Sequence, residues 1–144
     1  MLVRRMDSKD TLQVAALCEQ FGYPTSREEV GERFHHLQQL MEHQVFVAED
    51  NDVVIGWIHV HGIHSLSSPS YVEIRGIVVD SQYRHQGVGR LLVTEAENWT
   101  LAKGYRVVRL RSGTQRPEAH HFYPKLGYER TKTQHHYQKV LSKL

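Results

Sequence analysis

Apolar residues recur along the chain in two rhythms, one helical and one of strands. "LVRRM" reads as a short first strand, after which Asp7 or Ser8 offers an N-cap for a helix turning Val14, Leu17, Cys18 and Phe21 to one side. "GYP" ends that helix. Ser26 followed by Glu29 has the spacing of a capping box, and Val30, Phe34, Leu37 and Met41 then return at helical intervals, which predicts a second helix. "VFVAE" and "VVIGWIHVHGI" predict the strands of a hairpin, with Asn51 and Asp52 as the residues best able to take turn conformations. The loop "HSLSSPS" follows, and then "YVEIRGIVV", strand-like throughout. Its run Ile77, Val78, Val79 predicts a central strand covered on both faces at that end, and Gly76 marks a bulge or a close approach of backbone to a ligand.

Val88, Leu91, Leu92, Ala96, Trp99 and Ala102 form one stripe of a long helix that Gly104 closes. "YRVVRL" predicts a strand, "RPEAHHFYPKLG" a short helix with Pro117 in its first turn, and "HHYQKVL" a final strand. The order β-α-α-β-β-β-α-β-α-β predicts an α/β fold, a mixed central sheet with helices on both faces, and one domain over residues 1–144.

Composition narrows the class. A chain of 144 residues, 40% hydrophobic and 24% charged, can bury a core without disulfides or metal. Its single cysteine, Cys18, sits on the apolar face of the first helix and reads as core packing rather than a nucleophile. The longest apolar runs, such as Val53 to Ile58, are far short of a membrane span, and "MLVRRMDSKD" has no apolar signal core; a cytoplasmic protein without a membrane partner is expected. A net charge of +2, with basic residues not interleaved with aromatics, argues against a nucleic-acid partner. The charge is uneven, however. Residues 1–52 hold ten acids against five bases, net −5, and residues 53–144 hold thirteen bases against six acids, net +7.

"YRHQGVGRLL" lies between a strand and a helix. A glycine turn there is a ready anion site, because the first N–H groups of a helix lack internal partners and the helix dipole is positive at that end. A nucleotide P-loop would need a Gly-Lys-Ser/Thr ending, and the dinucleotide fingerprint a third glycine where Leu92 stands. Neither fits. Arg84-x-x-Gly87-x-Gly89 in this setting resembles the Arg/Gln-x-x-Gly-x-Gly/Ala signature of the GNAT family of acetyl-CoA-dependent N-acetyltransferases. A second segment, "AHHFYPKLGY", resembles that family's later motif at Ala119, Tyr123, Gly127 and Tyr128. The family's frequent asparagine seven residues before the tyrosine is Arg116 here. The form Arg116-x-x-Ala119-His120-x-Phe122-Tyr123 is similar to the branch that acetylates small amines.

The resemblance implies the GNAT fold over essentially the whole chain, with acetyl-CoA as co-substrate and an amine as acceptor. It implies that main-chain N–H groups from Gln86 through Gly87, Val88, Gly89 and Arg90, with Arg84 and His85 beside them, hold the CoA pyrophosphate. Ile77, Val78 and Val79 would then offer main-chain partners to the pantetheine arm at a splay between parallel strands, with Arg116 and Ala119 further along the donor site. A homodimer through the C-terminal strands is ordinary for the family. The first two helices, which wall the acceptor side in this family, lie in the acidic portion and would draw a cationic amine.

Acetyl transfer needs a neutral amine, because an ammonium has no lone pair with which to attack. Glu73, four residues before Ile77, falls at the place of the base glutamate of the family's histone-acetylating members, acting directly or through water, with a solvated or ion-paired carboxylate facing Arg75 or Arg5 as the purely structural alternative. Tyr123 falls where the resemblance puts the acid that protonates the leaving thiolate, with an aromatic core residue beside Phe122 as the alternative. A strand N–H near Val78 would hold the oxyanion.

The eleven histidines invite a metal, but the pairs His35/His36, His120/His121 and His135/His136 are adjacent and point apart. His59 and His61 share a strand face without a cysteine or a His-Glu-x-x-His pattern, so no metal is expected; His61 and His64 are the candidates to line an acceptor pocket. The expected activity is direct transfer of the acetyl group to a primary amine in a ternary complex. The alternative is a non-catalytic CoA-binding sensor or interaction module.

Overall fold

The computed structural model describes residues 1–113 and 117–142. Its first unit, Met1–Arg111, begins with β1 (Leu2–Arg5) and a 3-10 turn at Ser8–Asp10. Asp7 and Asp10 cap that turn reciprocally and launch α1 (Thr11–Gln20). Ser26 and Glu29 form the expected capping box on α2 (Arg27–Gln38). Val14, Leu17, Cys18, Val30 and Phe34 are buried, whereas Met41 lies past the helix end and is 90% exposed. α2 stops one turn short of the position its apolar spacing predicts, because Gln39 closes it on His36 and Leu37.

β2 (His43–Asp50) and β3 (Val53–Ile63) pair through a turn in which Asn51 and Asp52 take φ of 50° and 66°. β4 (Tyr71–Val79) continues the meander, α3 (Val88–Ala102) crosses back, and β5 (Val108–Leu110) pairs parallel to β4. The sheet order is β1-β2-β3-β4-β5, antiparallel except for that last pair. A chain returning parallel needs a crossover, and α3 supplies it.

α3 buries Val88, Leu92, Val93, Ala96, Trp99 and Thr100. Leu91 and Ala102, placed in its apolar stripe by sequence, face solvent instead. A helix advances 100° per residue, so Val93 and Thr100, each next to a stripe residue, share the buried arc that Leu91 and Ala102 leave. On the sheet, Ile55, Ile58, Val60 and Val72 are fully buried, each contributing about 1.5–3 kcal/mol of burial. The opposite face carries Val45, Val47, Trp57 and Val78 against α1 and α2. Of the run predicted to be covered on both faces, Val78 alone is buried; Ile77 and Val79 are half-buried.

Arg4 ties β1 to this frame. Its Nη1 and Nη2 each donate to Asp10 at 2.9 Å, its Nε donates to Glu49 on β2 at 3.2 Å, and Asp10 is 1% exposed. Among the described residues, no helix is long and apolar enough to cross a membrane.

The second unit, Ser112–Leu144, contains α4 (Pro117–Lys125). Pro117 starts it, where a missing N–H costs nothing, and Gly127 at φ 91° ends it. The final strand expected at His135–Leu141 is not formed: those residues have no regular structure, and Tyr137, Val140 and Leu141 are 64–88% exposed. Strand-like spacing becomes a strand only where another strand supplies ladder bonds, and the described residues of this unit include none.

Candidate active site

Three features of the first unit converge on β4. The first is a bulge. His59 pairs with Gly76 and Val60 with Ile74, so Arg75 is the extra residue on β4. The bulge reading of Gly76 holds, and a side chain there would put its Cβ 3.0–3.1 Å from the Trp57 ring.

The second is a parting of strands. β4 pairs with β3 out to Val79, but its pairing with β5 stops at Ile74–Leu110. The β5 side of residues 75–79 therefore has no strand partner among the described residues, and main-chain groups of Ile77, Val78 and Val79 are open to a ligand there.

The third is the glycine loop. Asp80 accepts from the Gln82 N–H at 2.9 Å and Gln20 accepts from the Ser81 N–H at 3.1 Å, which fixes the exit from β4. His85 takes φ 63° and Gly87 φ 84°, and Gly87 is the N-cap of α3 without any side-chain cap bond. The first N–H groups of α3, beginning at Val88, Gly89 and Arg90, are left to an anion. Arg84 places its guanidinium 4.8 Å from the Phe21 ring centre, pinning the loop to the end of α1. Gln86 donates back to the Gln82 carbonyl at 3.3 Å.

Glu73 lies on the same strand and is 8% exposed. In register it faces His61 on β3 and Arg109 on β5, and Arg109 turns to the Tyr71 ring at 4.2 Å. The Glu73 carboxylate has Nε2 of His61 at 3.2 Å from Oε1 and Nε of Arg111 at 3.8 Å from Oε2. Its ion-pair contacts are with His61 and Arg111 rather than with the Arg75 or Arg5 named by the structural alternative.

Sequence reasoning missed the company Glu73 keeps. His43 on β2 and His61 pair in register and stack at 4.8 Å between centroids, and Nδ1 of His43 lies 2.9 Å from Nε2 of His59. Burial, followed by the repulsion of its neighbours His43 and His61, pushes the His59 imidazole down to about 4. Burial first, then His61 and His36, also lowers His43. These rings are therefore held neutral near pH 7. The signal was the odd spacing of His43, His59 and His61, which alternation puts on one face once the hairpin register is known. Among the described residues no group of three or more His, Cys, Asp or Glu is arranged to hold a metal.

His64 belongs to a different network, bonded to Ser70 at 2.7 Å, to Glu42 at 3.2 Å and to Tyr105 at 3.3 Å. With Ser70, Lys103 and Arg106 it lines a cavity of about 590 Å³. Cys18 is buried, and that burial pushes its thiol up, as suits a core residue. In the second unit, Ala119 and Tyr123 lie on α4; Tyr123 packs edge-on to Phe122 at 5.0 Å and to Tyr128 at 6.0 Å, and its carbonyl accepts from the Tyr128 N–H. Arg116 lies outside the described residues.

The chain's similarities agree with this geometry. The sequence profile described as "Acetyltransferase (GNAT) family" matches residues 10–128. An uncharacterized N-acetyltransferase of Methanocaldococcus jannaschii is 31% identical over 98 residues, 67% of this chain and 43% of that protein, so the chain spans less than half of that relative's length. Among solved structures, the aminoglycoside N-acetyltransferase AAC(6')-Iy in complex with CoA superposes with a TM-score of 0.86 at 20% identity, over 96% of this chain and 93% of that one. The same enzyme bound to the bisubstrate analogue CoA-S-monomethyl-acetylneamine gives 0.85 at 20% identity, over 96% and 97%.

Proposed function

The chain belongs to the acetyltransferase (GNAT) family, and from that premise we propose that it moves the acetyl group of acetyl-CoA to a primary amine by direct transfer in a ternary complex. One observation carries the reading: β4 parts from β5 after Ile74 and runs straight into a loop whose left-handed His85 and Gly87 leave the α3 N-terminus uncapped. That is a slot for an extended amide-bearing arm ending in a cradle for its phosphates. CoA has that shape and charge. The amines joined to CoA in AAC(6')-Iy's bisubstrate analogue support a small polyamino acceptor, and the net −5 of residues 1–52 favours a cationic one.

In this reading Arg84, His85, Gln86, Gly87, Val88, Gly89 and Arg90 form the pyrophosphate cradle, and Ile77, Val78 and Val79 pair with the pantetheine amides. Arg116 and Ala119 complete the donor site. Glu73 accepts the ammonium proton, the released amine attacks the thioester carbonyl, a strand N–H near Val78 holds the oxyanion, and Tyr123 protonates the departing thiolate. The single domain spans residues 1–144, acts in the cytoplasm without membrane or nucleic-acid partners, and pairs with a second copy; exposed Tyr137, Val140 and Leu141 support that pairing. A thiol-release assay with acetyl-CoA against a panel of amines tests the function. Amine-dependent release of CoA is the expected result, and binding of acetyl-CoA with no release for any amine would instead identify a sensor module.

A further inference from the structure

Glu73 is buried, yet it does not stand alone: His61 on β3 bonds to it, and His43 and His59 pack in turn on His61. An ionised carboxylate has no proton to give, so a neutral His61 bonded to it must carry its proton on Nε2 and donate to Oε1. The tautomer is thereby fixed. The ring's attitude is fixed too, because His61 stacks on His43 at 13° between planes and His43 is tethered to His59. A carboxylate held at Oε1 turns Oε2 to the other side, where the half-open flank is shared with Nε of Arg111 at 3.8 Å.

We propose that His61 is a positioning residue for acetyl transfer: its Nε2–H holds Oε1 of Glu73 and so sets the direction of Oε2 toward the acceptor nitrogen. The inference rests on the reading of Glu73 as the base. The balance of protons is simple. R–NH3⁺ gives one proton to Oε2, leaving the neutral amine and a neutral Glu73 acid that keeps its bond from His61. After transfer, the acid releases that proton to water and the carboxylate returns.

The groups that face His61 are Glu73 from β4, His43 from β2 and His59 from its own strand; Arg111 flanks Glu73, and His36, Glu42 and Arg75 act on His43 and His59. The uncharged members of this set cannot replace the proton relationship of the His61–Glu73 pair, because none bonds to Glu73.

The test uses the full chain, acetyl-CoA and the best amine from the panel. His61→Phe keeps a flat ring but loses the donor, and kcat should fall by roughly 10²-fold with the KM for acetyl-CoA unchanged, the scale of a misaimed catalytic group. His61→Gln keeps an N–H at the Nε2 position, so it should restore most of kcat. Wild-type kcat in His61→Phe, or no recovery of kcat in His61→Gln, would overturn the proposal. Glu73→Gln separates the two layers: if it retains full activity, the base assignment itself is wrong, whereas an inactive Glu73→Gln beside a fully active His61→Phe removes the role of His61 alone.

Discussion

Nε2 of His61 and Oε1 of Glu73 stand 3.2 Å apart because the two residues are register partners on β3 and β4. The pairing follows from the antiparallel ladder and not from a flexible loop, so it is as rigid as the sheet. On the other side of the same carboxylate, Arg111 follows directly on β5, the strand whose departure from β4 opens the donor slot. The candidate base and the candidate donor site are therefore built from one strand.

Gly87 is at φ 84°, and a Cβ added there would meet nothing within 4 Å, so any substitution acts on the backbone alone. Gly87→Val should cost about 1–2 kcal/mol, the penalty of a left-handed L-residue. Its larger effect should fall on the ligand: calorimetric acetyl-CoA affinity is expected to drop at least tenfold as the α3 N–H groups lose their aim, while far-UV circular dichroism stays native.

Asp10 and Arg4 form a two-pronged pair in which the carboxylate is the buried partner. Burial alone would push Asp10 up; the Arg4 bonds and the Asp7 N–H outweigh it and hold Asp10 below its ordinary value. Asp10→Ala leaves Glu49 as the one carboxylate bonded to Arg4 and should lose about 3 kcal/mol in urea unfolding. Arg4→Met combined with Asp10→Leu should recover most of that loss, since neither charge then remains buried without its partner.

How much of this could be read from sequence depends on whether a residue's neighbour is local. The Asp7 cap, one of the two positions the sequence offers, the capping box at Ser26, the Asn51–Asp52 turn and the glycine loop are written within a few residues, and each is found there. The GNAT family was legible in the same way, from Arg84-x-x-Gly87-x-Gly89 and "AHHFYPKLGY". The final strand was not, because a period-two pattern at His135–Leu141 does not say which strand will pair with it. His43 was invisible as a site residue for a related reason: it lies 16 positions from His59 and acquires meaning only through the β2–β3 register.

His59 carries the main pH dependence of stability on this face. Its folded value is about 4 against an ordinary 6.5, so the unfolded chain takes up a proton first as the solution is acidified. The stabilisation is complete above pH 6.5 and is lost between 6.5 and about 4, amounting to roughly 3 kcal/mol. His43 is shifted the same way and adds to it; Asp10, held below 3.8, contributes a further loss only below that pH. Thermal melts between pH 7 and 4 should show this slope, and His59→Phe should flatten it.

The account's central claim is that the β4 slot holds acetyl-CoA while Glu73, on the same strand, frees the amine. The most direct measurement follows the N-acetylated amine by mass spectrometry for wild type and Glu73→Gln, with acetyl-CoA affinity measured on the same samples. Glu73→Gln should bind acetyl-CoA as the wild type does and form product roughly 10²- to 10⁴-fold more slowly at neutral pH, the range of a lost general base. Equal product from both proteins, or tight acetyl-CoA binding with no acetylated amine from either, would contradict it.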